Sequence, residues 1–255
     1  MCLLLLQYRT SAAAPVLLAA NREELFGRPA TLPGIQPGNP RVLCAIDQQA
    51  GGTWLGANQY GVVVGVTNRL KSNLPVRPRS RGLLCRELLS CTTAAEAAAL
   101  ALAELKTGRY AGANYLCADR RSAAVVQGSD RVDVLPLEAG VHILTNGDIN
   151  DRRDSRQRFA REFLAAKFPH TVRGFLDVTA RLCRQGPDLH GQPTVVLRGP
   201  DRGTVSSTIL AVTQGTEPAR YLHAAGAPDL TPYEDYSQLL QEVLAAGQRS
   251  TAAAP

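Results

Sequence analysis

The chain of 255 residues is poor in aromatics, with five Phe, seven Tyr and a single Trp, and it has one Met. Its net charge of +6 comes largely from arginines that are scattered rather than gathered into one run. Without a basic-aromatic platform, a dedicated nucleic-acid binder is not expected, although anionic ligands remain compatible with the charge. No apolar run approaches the ~18–20 residues of a membrane span, so no integral membrane segment is expected. The densest early stretch, Leu3 to Leu6, is only four residues long with no basic segment before it, and it does not read as a signal peptide. None of the six cysteines (Cys2, Cys44, Cys85, Cys91, Cys117, Cys183) has Cys-x-x-Cys spacing, which disfavours a zinc site or a thioredoxin-like motif. No resident metal or cofactor is expected. The later cysteines read as reduced thiols of a cytoplasmic protein, mostly small core residues.

What the chain does have is a cysteine in second place. Methionine aminopeptidase removes Met1 when the next side chain is small, and Cys2 is small enough. The expected mature N-terminus is then a cysteine whose free α-amine, titrating near ~8, accompanies a thiol titrating near ~8.5. A proton can pass from thiol to amine directly or through one water, so that a single residue supplies nucleophile and base.

The order of elements is strands, helices, strands, helices, strands. Cys2 to Tyr8 and Val16 to Ala20 form a hairpin-like pair, followed by a loop rich in proline and glycine (Pro29, Pro33, Pro37, Pro40). Val42 to Ile46, Gly52 to Asn58 and Val62 to Asn68 read as strands, the last two joined by a turn at Asn58 to Gly61. Helices are expected over Ser80 to Leu89 and over Thr93 to Leu105, with Glu96 placed for a capping box. Strands at Tyr115 to Asp119, Ser122 to Gln127, Val132 to Leu135 and Val141 to Thr145 precede helices at Asp154 to Lys167 and Phe175 to Cys183. Thr194 to Leu197, Ser206 to Thr213 and Ala219 to His223 read as the last strands, and Tyr236 to Ala245 as a closing helix. Strands grouped in this way favour α+β with antiparallel sheets over a doubly wound parallel sheet. No linker or repeat divides the chain, which reads as one domain, residues 1–255, with a tail over about 246–255.

Several groups carry possible chemistry. Asn21-Arg22-Glu23-Glu24 ends the second strand of the hairpin, which brings it back beside Cys2. An arginine there stabilises thiolate, and a carboxylate orients an α-ammonium. The same residues can equally form a polar turn with a surface ion pair. Asn68 and Asn146 each end a strand after a threonine. They can donate to an oxyanion or simply favour turns. Gly51-Gly52-Thr53-Trp54-Leu55-Gly56 reads as a β-bulge with a core tryptophan. His142, His170, His190 and His223 are isolated in sequence. Arg152, Arg153, Arg156, Arg158 and Arg161 crowd one helix start, where a solvated basic face is expected for most.

Cys2, Ala20-Asn21-Arg22-Glu23-Glu24 and Gly51-Gly52-Thr53-Trp54-Leu55-Gly56 together resemble the NRDE family, also called the Transport and Golgi organisation 2 family. Its Asn-Arg-Asp-Glu motif has Glu23 in third position here. Thr67-Asn68, Ser80-Arg81-Gly82 and Ser206-Ser207-Thr208-Ile209-Leu210 also resemble family segments. That family is similar in turn to the N-terminal nucleophile hydrolases, in particular the penicillin V acylase and bile salt hydrolase group. The resemblance implies a four-layer αββα fold with two stacked antiparallel sheets, and an N-terminal cysteine that attacks a linear amide bond of a small molecule. It implies Cys2 as nucleophile, Glu23 as the acid near its amine, and Asn68 and Asn146 as the two asparagines. The acylases place their arginine where this chain has Ala20. Arg22 would lie on the opposite face of a regular strand from Glu23, so either the strand is irregular or Arg22 is not catalytic. Arg158 loosely resembles a second acylase arginine. The alternative implied by the resemblance is a non-enzymatic haem-binding or trafficking protein, with haem as ligand through Cys2 or a histidine. The absence of a Cys-Pro pair weakens that alternative.

Overall fold

The structure, a computed structural model, describes residues 2–167, 169–186 and 194–252. His190 lies outside them. In chain order the elements are β1 (Cys2–Tyr8), β2 (Val16–Leu25), β3 (Gly34–Gln36), β4 (Val42–Cys44), β5 (Leu55–Asn58), β6 (Val63–Asn68), α1 (Arg81–Leu88), α2 (Ala94–Lys106), β7 (Ala113–Ala118), β8 (Ala123–Gly128) and β9 (Val132–Pro136). They continue with β10 (Gly140–Leu144), α3 (Ser155–Ala165), α4 (Val172–Cys183), β11 (Arg202–Val212), β12 (Arg220–Ala224), β13 (Glu234–Asp235) and α5 (Ser237–Ala252). The expected α+β class holds, and every strand pairing within the two sheets is antiparallel.

The elements divide between two compact units. The first comprises the chain through Arg28 together with Ala139–Ser237, and the second comprises Pro29–Glu138 and the chain from Gln238 onward. The first unit holds a six-stranded sheet ordered β10-β1-β2-β11-β12-β13. Its founding hairpin forms as the two apolar runs suggest. Tyr8 pairs with Val16, and Arg9 N–H donates to Pro15 O to close the connection. Leu3, Leu5, Leu17, Ala19, Ile143, Ile209 and Ala211 turn one face of this sheet toward α3 and α4, against Ala160, Leu164, Phe175 and Leu182. The alternate residues Leu4, Leu6, Leu18 and Leu210 face the other way and are equally buried. Each helix starts on a side-chain cap. Asp154 accepts from Arg156 N–H and Gln157 N–H, and Thr171 accepts from Gly174 N–H.

The second unit holds a seven-stranded sheet in simple sequence order, β3 to β9. Its core gathers Val62, Val64, Leu84, Leu88, Leu105, Tyr110 and Tyr115 with the thiols of Cys44, Cys85 and Cys117. Cys44, Cys85, Cys117 and Cys183 are all buried, as expected of core thiols. The turn after β5 is built by Asn58. Its Oδ1 accepts from Tyr60 and Val62 N–H, and its Nδ2 donates to Leu89 O and Cys91 O. Gly61 completes the turn at φ +79. Thr93 caps α2 by accepting from Glu96 N–H, while Glu96 reaches back to Thr92, one residue earlier than the usual box.

Three expectations are corrected. Gly51 to Gly56 does not make a strand bulge. A Cβ on Gly52 would lie 2.2 Å from the carbonyl carbon of Gly82, and Thr53 N–H donates to Gly82 O at 2.9 Å. The two glycine segments therefore exist as one backbone-on-backbone crossing, with Trp54 packed partly buried on the adjoining core. Thr194 to Leu197 is not a strand, because its polar groups are taken elsewhere. Val195 and Val196 N–H both donate to Gln185 O, and Thr194 O and Val195 O both accept from Arg156. Finally, the closing helix runs on to Ala252 rather than ending at Ala245 in a tail. The short strands β3 and β13 are additions to the expected set.

Candidate functional site

Cys2 opens the second-position strand of the first unit's sheet, flanked by the ends of its two neighbours. On one side Cys2 pairs directly with Arg22 of β2. On the other side β10 pairs with β1 as far as Leu4 and Leu144, and the chain beyond it carries Asn146 past Cys2. The Cys2 main-chain nitrogen donates to Asn146 Oδ1 at 3.4 Å. Four of the five anticipated residues, Cys2, Arg22, Glu23 and Asn146, thus lie at one end of one sheet.

Strand β2 runs on through both residues, and the register shift in its ladder falls on β11 between Thr204 and Ser206, so Arg22 and Glu23 lie on opposite faces. The register decides which of them shares a side with the thiol. Paired residues of an antiparallel sheet project to the same side, which puts Arg22 with Cys2. Asn21 and Glu23 face α3 and α4 instead. Asn21 Nδ2 donates to Cys183 O at 3.0 Å, tying the end of α4 to the sheet. Glu23 is buried against α3, where Arg156 Nη2 meets its Oε1 at 3.0 Å.

Arg156 was indistinguishable in sequence from its arginine neighbours. The cap at Asp154 sets the helix phase, and Arg156 falls on the face that meets the sheet. Arg158 is exposed, which removes it as a partner of this group. The segment carrying Asn146 is anchored to the same helix start. Thr145 Oγ1 donates to Asp154, and Gln157 Nε2 donates to Thr145 Oγ1 at 3.1 Å and to Asp148 O at 2.8 Å. Asn68 belongs to the second unit, at the end of β6 opposite Ala113.

The electrostatics run against a preformed thiolate. Burial of the sulfur raises the Cys2 thiol above its usual value, and the Glu23 carboxylate raises it further. A hydrogen bond from the Glu23 main chain and the Arg22 charge pull the other way without prevailing. Glu23 itself is pushed up to about 7 by burial, against the opposing pull of Arg156. The same guanidinium also donates to the carbonyls of Thr194 and Val195. The group therefore combines a protonated thiol, a carboxyl poised near neutrality, a cation on the thiol's own face and an amide oxygen on the Cys2 nitrogen. Among the described residues, no three His, Cys, Asp or Glu side chains are placed to hold a metal ion, and no helix is long and apolar enough to cross a membrane.

This architecture is the N-terminal nucleophile hydrolase-like fold. A Caenorhabditis elegans N-acylethanolamine-hydrolyzing acid amidase ortholog superposes on it with a TM-score of 0.54 at 13% identity, over 95% of this chain and 98% of that one. The sequence model of the Transport and Golgi organisation 2 family matches residues 1–174, and the chain belongs to that family. It is similar to the human Transport and Golgi organization protein 2 homolog, 32% identical over 111 residues, and to the bovine one, 37% identical over 78 residues. The human match spans 42% of this chain and 40% of the relative, and the bovine match 29% and 28%.

Proposed function

We propose that this chain is an N-terminal cysteine amidohydrolase, with Cys2 as nucleophile once Met1 has been removed. The observation that carries the reading is the placement of the Cys2 nitrogen 3.4 Å from Asn146 Oδ1, with Arg22 directly across the strand pair. After loss of Met1 that nitrogen is an α-amine, and Asn146 orients it. A thiol that is protonated at rest fits this chemistry, since the amine takes its proton as sulfur attacks. Asn146 Oδ1 is occupied by the Cys2 nitrogen, which leaves Nδ2 as the end that donates to the oxyanion of the tetrahedral intermediate. Collapse expels the amine, protonated by the α-ammonium, and leaves a thioester on Cys2. Water, deprotonated by the same α-amine, then releases the acid. The substrate class is a linear amide of a small molecule.

The test uses the purified full chain. Intact mass should show loss of Met1, and incubation with a panel of N-acyl amides should show an acyl adduct on Cys2 that Cys2→Ser cannot form as a thioester. Retention of Met1 in protein made without overloading the aminopeptidase refutes the mechanism. So does a panel without adduct or turnover. Stoichiometric haem binding that Cys2→Ser abolishes would then favour a carrier.

A further inference from the structure

Strand β11 carries four hydroxyls in a short run, and three of them are committed. Thr204 Oγ1 accepts from Leu197 N–H, Ser207 Oγ donates to Ala20 O and meets Tyr233 OH, and Thr208 Oγ1 is bonded to His223 Nδ1. The fourth, Ser206 Oγ, is buried and has no hydrogen-bond partner among the described residues. Ser206 is 6% exposed, and a sequestered hydroxyl without a partner is costly enough to need a reason.

Its place in the sheet supplies one. Ser206 pairs with Arg22, and Arg22 pairs with Cys2, so the three form a row across adjacent strands. The row projects to the side away from α3 and α4, because Ile209 and Ala211 on β11 and Ala19 on β2, all of the opposite parity, pack toward those helices. The ladder breaks register between Thr204 and Ser206, a bulge of the kind that re-aims a side chain beside a site.

We infer that Ser206 Oγ, one strand across from Arg22 and on the same side of the sheet, is a specificity contact for a carboxylate borne by the substrate about one residue's length beyond the amide that Cys2 attacks. This rests on the hydrolase reading for the identity of the reacting bond. The donor set selects the ligand. A guanidinium carries positive charge and donors in a planar fork with no acceptor, and a hydroxyl adds a further donor, so an acceptor-rich planar anion is the complementary group. The spacing agrees. Two strand intervals of ~4.8 Å put Ser206 roughly 9–10 Å from Cys2. An attack distance of ~3–3.5 Å, one extended residue of ~3.3–3.6 Å and a hydrogen bond of ~2.8 Å together cover the same span.

The experiment measures equilibrium binding of N-octanoylglycine and N-methyloctanamide, which share acyl chain and amide and differ in the carboxylate. It is done in the Cys2→Ala full chain, so that nothing is consumed and the result stands apart from turnover. The glycine conjugate should bind more tightly. Ser206→Ala in that background should reduce its advantage about tenfold, as for loss of a hydrogen bond to a charged group, with little change for the neutral amide. Ser206→Thr, which restores a hydroxyl, should recover most of the loss, and unchanged thermal melting excludes a folding defect. Equal or undetectable binding of the two compounds overturns the inference, as does a preference that Ser206→Ala leaves intact. Failure of the hydrolase reading shows separately, as absence of adduct in the chain that retains Cys2.

Discussion

Glu23→Gln is the most informative single substitution. The carboxyl titrates near 7 in the folded chain against an ordinary 4.5, because burial outweighs the attraction of Arg156. A raised carboxyl stabilises the fold while protonated. Its contribution is complete below about 4.5, declines as pH rises, and is lost once pH passes about 7. At ~1.36 kcal/mol per pH unit, the decline across that window is about 3 kcal/mol. Glutamine keeps the shape and an acceptor for Arg156 but cannot ionise. Urea denaturation of both proteins from pH 4 to 8.5 should give stabilities that converge at the acid end and separate by about 3 kcal/mol at the alkaline end, with Glu23→Gln the more stable. Subtracting the two curves cancels the titration of every other group. Parallel curves would refute a buried carboxyl near neutrality. A wild-type chain that gains stability relative to Glu23→Gln as pH rises would show instead that the Arg156 ion pair prevails over burial.

Asn146→Ala should keep the fold and the nucleophile while lowering turnover by about 10²–10³, the usual cost of losing one oxyanion donor, in single-turnover kinetics on any amide that the unmodified chain acylates. In the second unit, Gly52→Ala should destabilise by about 3 kcal/mol or more, because its Cβ would meet the Gly82 main chain at 2.2 Å, where no side chain can move aside. Gly147→Ala, with nothing within 4 Å of the added Cβ, serves as the near-neutral control, and chemical denaturation midpoints decide between them.

Much of this protein is decided by residues close together in the chain. The opening hairpin follows from two apolar runs joined by seven connecting residues, the β5–β6 turn from Asn58 and Gly61, and the helix starts from Ser80, Thr93 and Asp154. The placement of Arg22 beside Cys2 also follows once the hairpin register is known, since alternation assigns each side chain to a face. The anticipated likeness to N-terminal nucleophile hydrolases rested on a few motif residues and agrees with the fold.

Long-range packing decided the rest. Asn146 stands 144 positions from Cys2, and only the pairing of β10 with β1 brings the two together. Which of five clustered arginines reaches Glu23 depended on the phase of α3 against β2, and that phase left Arg158 in solvent. The apolar run Thr194 to Leu197 has strand composition, yet Arg156 and Gln185 capture its backbone groups before any ladder can. Ser206 and Ser207 are adjacent and chemically identical, but one hydroxyl is satisfied and the other is left over. Strand parity and a register shift immediately before Ser206 separate them, and both are properties of the assembled sheet.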